Sequence, residues 1–300
     1  MRALVTGSSG FVGRYLVRHL EDSGDEVAGL DRHSGVDVTD ADAVRAAFAA
    51  HRPETVYHLA AVSHIGASWS APLEVLRVNA EGAFNVLRAA LDTGVSRFVL
   101  VGSADEYGIV TEADLPITED APLRPVTPYG ASKVAAEYLG LQTHLGEGLP
   151  VVRVRSFNHT GAGQGERFLV PALARRIAEA EARGAKEVAV GSLDPVRDFT
   201  DVADVVRAYR LLAERGQPGE VYNVCSGRGW SVAELAERLL RSARHSMELV
   251  EDPALVRPVE VPRLVGDNTR LRAATGWAPK VPLDDTLAAV LDHWRARLTS

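Results

Sequence analysis

Short runs of β-branched and apolar residues alternate with longer segments of helical periodicity through the first half of the chain, and this alternation limits the fold more than any other feature. The predicted strands are Ala3–Thr6, Glu26–Leu30, Thr55–Leu59, Arg97–Val101 and Val151–Arg155. The predicted helices are Phe11–Leu20, Ala41–Ala50, Leu73–Leu91 and Ala131–Leu145. Strands separated by helices form βαβ units, so we expect an α/β fold with a parallel sheet and helices on both of its faces.

The alternation loosens after residue 156. The later pattern predicts a helix over 168–183, a strand over 187–190, a helix over 202–214 and a closing helix over Leu283–Leu298. We expect this half both to extend the sheet and to build a second lobe. The predicted division assigns 1–156 plus roughly 186–224 to the sheet domain, and roughly 157–185 and 225–300 to an interleaved lobe.

A glycine-rich turn joins the first predicted strand to the first predicted helix. Gly7, Gly10 and Gly13 are spaced as G-x-x-G-x-x-G. Small residues at such a turn let a pyrophosphate approach the backbone, where the amides and the dipole of a helix N-terminus stabilise its negative charge. The turn therefore predicts a dinucleotide site that also includes Phe11 and Val12, although a tight strand-to-helix turn without a ligand would use the same glycines.

Acidic residues after the second predicted strand favour the cofactor interpretation. Asp31 lies 18 residues beyond the last glycine, where a carboxylate accepts hydrogen bonds from adenosine ribose hydroxyls and repels a 2′-phosphate. NAD is therefore the predicted cofactor, and Arg32 keeps NADP possible because a guanidinium binds a 2′-phosphate. Asp37 and Val38 are expected near the adenine, whereas Asp40 suits the N-cap of the following helix.

Tyr129 and Lys133 form the predicted catalytic pair. At positions i and i+4 of a helix they share one face, so the ammonium is expected to lie near the phenol and to lower the pKa of Tyr129 toward neutrality. Lys133 is also expected to hold the nicotinamide ribose. Ser103 follows the fourth predicted strand, and a hydroxyl at the carboxyl end of a parallel strand faces the crevice where ligands bind. The three residues predict proton transfer at a carbonyl or a sugar hydroxyl.

Composition argues against several other classes of protein. With 300 residues, of which 46% are hydrophobic, the chain can bury a large core. The net charge of −7 argues against nucleic acid as a partner, because proteins that follow a phosphate backbone present a basic surface. Cys225 is the only cysteine, so no disulfide and no metal site are expected, and a reduced cytoplasmic location fits. No apolar run approaches the ~20 residues of a membrane helix, so no membrane partner is expected.

The motifs above, together with Leu59, Ala60, Ala61 and Asn79, resemble the extended short-chain dehydrogenase/reductase family of the NAD-dependent epimerase/dehydratase type over essentially the whole chain. The resemblance implies a Rossmann fold, a doubly wound parallel sheet, with a smaller C-terminal lobe that binds sugar nucleotides. It implies that Leu59, Ala60 and Ala61 line the cofactor site, and that Asn79 belongs to the polar network that supports the catalytic pair beside the cofactor. It also implies a homodimer that forms through two of the long predicted helices.

Three later strings, Ser156–Gln164, Val196–Val202 and Arg257–Pro262, resemble the branch of that family that acts on GDP-mannose derivatives. The resemblance implies a GDP-linked nucleotide sugar as the substrate. Guanidinium groups suit its phosphates, since they offer planar pairs of donors. The residues expected to contact the substrate are His64, Ser103, Asn158, Arg197, Arg257 and Glu260.

The expected reaction is reduction of the C4 keto group of GDP-4-keto-6-deoxy-mannose by NADH or NADPH, with Ser103 polarising the carbonyl and Tyr129 donating the proton. An alternative is an NAD-retaining GDP-mannose 4,6-dehydratase or a nucleotide-sugar epimerase. Related dehydratases have a glutamate two residues after their serine or threonine, where this chain has Asp105, which together with Glu106 also suits capping of the following turn. A noncatalytic dinucleotide sensor is the remaining alternative, and the retained set of Ser103, Tyr129 and Lys133 argues against it.

Overall fold

The computed structural model describes residues 1–255 and 261–299. Its strands are β1 (Arg2–Thr6), β2 (Glu26–Leu30), β3 (Thr55–His58), β4 (Arg97–Ser103), β5 (Val151–Ser156), β6 (Asn158–Thr160), β7 (Glu187–Val190), β8 (Val196–Asp201), β9 (Val221–Val224), β10 (Gly229–Ser231), β11 (Glu248–Glu251) and β12 (Arg263–Leu264). Its helices are α1 (Phe11–Asp22), α2 (Ala41–His51), α3 (Ile65–Ser70), α4 (Pro72–Leu76), α5 (Gly82–Asp92), α6 (Pro128–Glu147), α7 (Leu169–Arg183), α8 (Val202–Arg215), α9 (Val232–Arg241), α10 (Thr269–Thr275) and α11 (Leu283–Leu298). Within these two described ranges, no helix combines the length and apolar character needed to cross a membrane.

Six of the strands form one parallel sheet in the order β2-β1-β3-β4-β5-β9. β1 has β2 on one side and β3 on the other, so the direction in which the sheet grows reverses at β1. The carboxyl ends of β1 and β3 therefore border a crevice, and ligands of open α/β sheets bind at such a switch point. The predicted doubly wound parallel sheet is confirmed.

Apolar side chains cover both faces of this sheet, as parallel strands flanked by helices require. On one face α1 and α8 pack through Leu16, Leu20 and Tyr209. On the other face α2 and α5 pack through Phe48 and Leu87. All five side chains are fully buried. Because each large apolar side chain contributes about 1.5–3 kcal/mol when buried, this packing holds the strand ends, and the loops that follow them, in fixed positions.

The remaining strands form a second unit. β8 pairs with β6, β10 and β12, and β7 pairs with β11. Helices α7, α9 and α11 pack together around a separate core that includes Leu173, Ile177, Leu235 and Leu291. Because β6 directly follows β5, this second unit, which we call the lobe, begins at the carboxyl edge of the large sheet.

The chain returns to the large sheet later than the sequence predicts. The predicted boundary near 186 assigns β7 and β8 to the sheet domain, whereas both strands pair within the lobe. The return begins at α8, which leads into β9. The apolar pattern of a short strand does not specify its pairing partner, so the sequence cannot locate this boundary. We propose that 1–156 and 202–224 make up the sheet domain.

The helix predicted over Leu73–Leu91 is divided in the structure. α4 ends at Leu76, residues Arg77–Glu81 form a π-helical turn, and α5 begins at Gly82. Asn79 lies at the centre of this turn and is buried. π-helical turns are frequent at functional sites. Here the turn carries the one side chain of this helix that the resemblance assigns to the catalytic network.

Candidate active site

The glycine turn forms a cradle at the carboxyl end of β1. Gly7 has a φ of 71°, in the left-handed region, and its amide donates to Leu30 O at 2.8 Å. A Cβ at Gly13 would lie 2.1 Å from the Gly7 carbonyl oxygen, so only glycine lets α1 pack this closely on the turn. Gly10, at the N-cap of α1, has no side chain to cover the first amides of the helix. The N-terminus of α1 therefore remains accessible to an anion, as a pyrophosphate site requires.

Asp31 follows β2 and caps the next turn. Its Oδ2 accepts hydrogen bonds from Ser8 Oγ at 2.6 Å and Ser9 N at 2.8 Å, and its Oδ1 accepts from His33 N at 2.9 Å and Ser34 N at 3.0 Å. Burial disfavours the charged form, but the bonds from Ser8, Ser9 and Ser34 outweigh it and hold the pKa of Asp31 well below its usual range. A carboxylate has about four lone-pair sites. Hydrogen bonds within the protein therefore occupy the carboxylate oxygens that the sequence predicts would bind the ribose hydroxyls.

The next loop contributes two further predicted residues. Asp37 and Val38 line the main cavity together with Arg32. Hydrogen bonds from the amide and hydroxyl of Thr39 to Asp37 Oδ1, at 2.9 and 2.8 Å, lower the pKa of Asp37. Asp40 instead accepts from two amides in the first turn of α2, both at 3.0 Å, which confirms the predicted N-cap.

Leu59, Ala60 and Ala61 form a wall of the cavity just after β3. Thr6 Oγ1 accepts from the amides of Leu59 and Ala60, each at 3.1 Å. These two bonds tie the wall to the end of β1, so the glycine cradle and the wall keep a fixed spacing across the switch point.

Asn79 supports this wall from behind. Its Oδ1 accepts from Val62 N at 2.8 Å, and its Nδ2 donates to Val62 O at 3.1 Å and to Ser132 Oγ at 2.9 Å. Ser132 Oγ donates in turn to Tyr129 O at 2.7 Å. Asn79 therefore connects the wall to the helix that carries the predicted catalytic pair.

Ser103, Tyr129 and Lys133 converge at the carboxyl end of β4. Ser103 ends β4, whereas Tyr129 and Lys133 lie in the first two turns of α6, which Thr127 caps with its hydroxyl. All three line the cavity and are no more than 8% exposed. The side chains of Ser103 and Tyr129 share a hydrogen bond. Lys133 Nζ donates to Val101 O at 2.8 Å.

Burial controls the protonation of this pair. Burial and the negative charge of Asp105 raise the pKa of Tyr129 above its usual value, and the hydrogen bond with Ser103 offsets this only in part. The predicted lowering of that pKa by Lys133 is therefore wrong, because burial dominates and Nζ is directed to a backbone carbonyl. Burial also lowers the pKa of Lys133 to about 8. Tyr129 is held as a neutral phenol, which is the form of a proton donor.

Asp105 and Glu106 occupy different places, although the sequence suggests one capping role for both. Glu106 Oε1 accepts from Ser103 N at 2.7 Å and completes a capping box with the Ser103 side chain. Asp105 lines the cavity, and its Oδ2 accepts from Ser103 Oγ at 3.0 Å. A carboxylate therefore stands beside the predicted catalytic hydroxyl.

The lobe supplies the far end of the cavity. Asn158 and Arg197 line it, and Arg197 Nη1 donates to two backbone carbonyls at 2.9 and 3.3 Å. His64 lines it from the loop after β3. Arg257 and Glu260 lie outside the described residues.

Sequence reasoning missed several side chains on two helices that line the cavity. Phe168, Leu173 and Arg176, at the start of α7 and along it, line the end formed by the lobe. Arg14, on α1, lines the end formed by the glycine cradle. Helical periodicity indicates which residues share a face, but only the tertiary arrangement shows that this face borders a cavity.

The cavity has a volume of about 1340 Å³ and extends from the glycine cradle, past Ser103 and Tyr129, to the lobe. Pockets for a single small ligand usually measure about 300–1,000 Å³, so this one has room for a dinucleotide and a second ligand. The accessible N-terminus of α1, the close approach at Gly13 and the position of Lys133 fit a nicotinamide dinucleotide.

A sequence model of the NAD-dependent epimerase/dehydratase family matches residues 3–225. The chain belongs to this family. The matched region contains the glycine cradle, the wall after β3 and all three residues of the Ser103, Tyr129 and Lys133 set. The predicted class, an NAD(P)-dependent enzyme of the epimerase/dehydratase type, is confirmed.

Relatives within the family act on several nucleotide sugars. The GDP-6-deoxy-D-mannose reductase of Pseudomonas aeruginosa is 38% identical over 99% of this chain and 98% of its own length. The UDP-glucose 4-epimerase of Streptomyces lividans is 32% identical over 97% of this chain and 94% of its own length. The structure of RMD from Pseudomonas aeruginosa complexed with NADPH has a TM-score of 0.91 and 38% identity, and the match covers 99% of this chain and 100% of that one.

Proposed function

We propose that this protein is an NAD(P)H-dependent reductase that acts on the C4 keto group of GDP-4-keto-6-deoxy-mannose. The observation that carries the proposal is the buried, hydrogen-bonded pair of Ser103 and Tyr129 in the middle of the cavity. Reduction of a ketone consumes a proton, and a phenol whose pKa is raised by burial retains the proton that must be given. The identity of 38% with the Pseudomonas aeruginosa GDP-6-deoxy-D-mannose reductase supports the choice of substrate.

The proposed step adds one hydride and one proton to the ketone. A reduced nicotinamide, held by the glycine cradle and Lys133, would supply the hydride that C4 receives. Tyr129 donates its phenolic proton to the C4 oxygen, which becomes the hydroxyl of the product. Ser103 Oγ turns from Asp105 Oδ2 to the same oxygen and stabilises the charge that develops there. Lys133, which lines the cavity beside Tyr129, would hold the nicotinamide ribose while it is protonated.

We infer that the protein accepts NADPH as well as NADH. Four protein hydrogen bonds already engage the Asp31 carboxylate, so it has little capacity left for a ribose hydroxyl. Arg32 and His33 line the cavity beside it, and Ser9 Oγ lies 3.1 Å from His33 Nδ1. Cationic and hydroxyl groups suit a 2′-phosphate. NADPH in the structure of RMD from Pseudomonas aeruginosa is in line with this inference.

The lobe end of the cavity suits the diphosphate of the substrate. Arg197 supplies a planar guanidinium and Asn158 an amide, both lining the cavity in a protein of net negative charge. His64 lines the cavity in the loop that follows the wall of Leu59, Ala60 and Ala61, where its imidazole is able to bind the sugar of the substrate. We infer that these three residues contact a GDP-linked substrate.

The position of Asp105 favours a second candidate function, an NAD-retaining GDP-mannose 4,6-dehydratase. Its carboxylate lies next to Ser103, where removal of the C5 proton needs a base. Asp105→Ala separates the two functions. In a reductase the change leaves the proton donor Tyr129 intact and lowers the rate by less than about tenfold, whereas in a dehydratase it removes the base and lowers the rate about 10²–10⁴-fold.

We infer a homodimer, with a second copy of this chain packed on the faces of α4, α5 and α6. Large apolar side chains are exposed on these helices: Leu73, Leu76, Phe84, Tyr138 and Leu145. Apolar residues clustered on neighbouring helices mark an interaction surface, and closed twofold symmetry buries the same face on both copies. A cytoplasmic location is also inferred, from the free, buried thiol of Cys225 and the supply of nicotinamide cofactor.

Absorbance of the reduced nicotinamide tests the proposed reaction. Purified protein, mixed with GDP-4-keto-6-deoxy-mannose and either NADPH or NADH, should consume reduced cofactor in proportion to the sugar added. Loss of the C4 keto signal in the NMR spectrum of the sugar should accompany it. If neither cofactor is consumed and GDP-mannose is instead converted to the keto sugar, the dehydratase replaces the reductase.

A further inference from the structure

Glu106 is a fully buried acid that the proposed reaction does not use. It is 0% exposed, and its Oε1 accepts from Ser103 N at 2.7 Å. A Cβ at Gly102 would lie 2.3 Å from this oxygen, so the glycine before Ser103 makes room for the acid. Burial of a carboxyl group at this point is costly unless both of its oxygens have hydrogen-bond partners.

The second oxygen of Glu106 is reached by no donor among the described residues. Its closest cation is Arg155, whose Nε lies 3.8 Å away, beyond hydrogen-bonding distance. The Arg155 donors are engaged elsewhere: Nε and Nη2 donate to Glu137 at 2.8 and 2.7 Å, and Nη1 donates to Tyr107 OH at 3.0 Å. An ionised Glu106 would therefore keep one buried oxygen without a donor.

Glu137 is the carboxyl group next to Glu106: Arg155 Nε donates to Glu137 Oε2 at 2.8 Å and lies 3.8 Å from Glu106 Oε2, and the two acidic side chains share a hydrogen bond. Two carboxylates cannot bond to each other, because an ionised carboxylate only accepts. Glu137 is the ionised member, since Arg153 Nη1 donates to it at 3.0 Å in addition to Arg155. The shared proton must then belong to Glu106.

We propose that Glu106 is a neutral carboxylic acid that donates its proton to Glu137 and thereby fastens the Ser103 loop to the helix that carries Tyr129 and Lys133. Burial has the largest effect and the charge of Glu137 the next largest, and both raise the pKa of Glu106 well above its usual value. Burial opposes ionisation of Glu137 as well, but the arginine bonds prevail and lower its pKa.

The arrangement makes Glu106 a positioning residue. Tyr129, Lys133 and Glu137 are spaced by four residues along α6 and share one face of that helix. The bond to Glu137 therefore connects the Ser103 amide to the same face that presents the phenol and the ammonium. The groups that face Glu106 are the Ser103 amide, Glu137, Arg155 and the two catalytic side chains of α6.

Infrared spectroscopy tests the protonation without relying on the proposed function. At pH 8 the spectrum of the protein should contain the C=O band of a buried, protonated carboxyl group, and Glu106→Gln should remove it. Glu112→Gln, at an exposed glutamate with a side chain 79% accessible, is the matched control and should leave the band. A difference spectrum in which E106Q removes only ionised carboxylate signal overturns the proposal.

Kinetics test the positioning role and depend on the proposed reductase activity. The glutamine of E106Q can accept from Ser103 N and donate to Glu137, so its pH profile of kcat should match that of the unchanged protein. Glu106→Leu can do neither, and kcat should fall at least about tenfold with KM for the keto sugar within about twofold, because displacements near 1 Å cost about 10²-fold. A pH profile shifted by E106Q would show that Glu106 is charged, and wild-type kcat in E106L would show that it positions nothing. If the unchanged protein reduces no keto sugar, the proposed function fails while the infrared result still decides the state of Glu106.

Discussion

Gly13→Ala is the most direct perturbation of the cofactor cradle. A Cβ at this position would stand 2.1 Å from the Gly7 carbonyl oxygen and 2.7 Å from that of Ser8, and neither backbone atom can rotate away. Relief to an ordinary contact near 3 Å requires α1 to move from the turn by about 1 Å, and overpacking of this kind costs about 1–3 kcal/mol. The same movement withdraws the α1 amides from the pyrophosphate. We expect the dissociation constant for NADPH to rise at least tenfold, which corresponds to about 1.4 kcal/mol.

Fluorescence titration with NADPH and thermal unfolding measure the two effects of Gly13→Ala separately. Gly146→Ala is the matched control, because a Cβ there would meet only the flexible side chain of Gln142, at 3.1 Å, and alanine favours the helix by about 1 kcal/mol. It should bind NADPH as tightly as the unchanged protein. Wild-type affinity in Gly13→Ala would refute the reasoning, since the close approach at Gly13 would then not hold the pyrophosphate.

The remaining predictions concern proton transfer, pH and assembly. Tyr129→Phe should lower kcat at least about 100-fold, while Tyr138→Phe, on the outer face of the same helix, keeps the rate; equal rates would remove Tyr129 as the donor. Burial raises the pKa of Asp198 to about 6. Since its pKa in the unfolded chain is about 3.9, the free energy of unfolding should fall by about 3 kcal/mol as the pH rises from about 4 to 6. Asp198→Asn should abolish this dependence of the unfolding free energy on pH in denaturant titrations. Lys133, with a pKa lowered to about 8, should lose its charge above that pH, so NADPH affinity should fall there and a constant affinity would contradict its role. Leu73→Glu should yield a monomer by light scattering, because it places charge in the proposed dimer face.

The sheet and the cradle could be predicted because their signals are local. The strand Arg97–Val101 and the helix Phe11–Leu20 follow from apolar periodicity within a few residues, and the structure contains both with small extensions. The N-cap role of Asp40 follows from its place before a helical segment. The roles of residues that depend only on their sequence neighbours could therefore be predicted before the fold was known.

Roles that depend on partners far away in the sequence could not be predicted in this way. The use of the Asp31 carboxylate by Ser8 and Ser9 depends on β1 and β2 lying side by side. The raised pKa of Tyr129 depends on burial by several elements, which no spacing of residues reports. The contact between Glu106 and Glu137 joins positions that are far apart in sequence, and the capping-box spacing of Ser103 and Glu106 is the only local signal that accompanies it.

Asp105 and Glu106 accept hydrogen bonds from different groups of Ser103, the hydroxyl and the amide. The charge that each of them carries affects how readily Tyr129 donates its proton. The donor must keep its proton until the ketone arrives, yet it must become a phenolate when the proton leaves. Each negative charge nearby opposes the second requirement, and Asp105 already supplies one. A charged Glu106 would add another and raise the pKa of Tyr129 further. With Glu106 neutral, the loop stays fixed through the Ser103 amide, and Asp105 remains the negative charge that raises the pKa of Tyr129. The same buried proton that positions Ser103 therefore also prevents Glu106 from raising that pKa further.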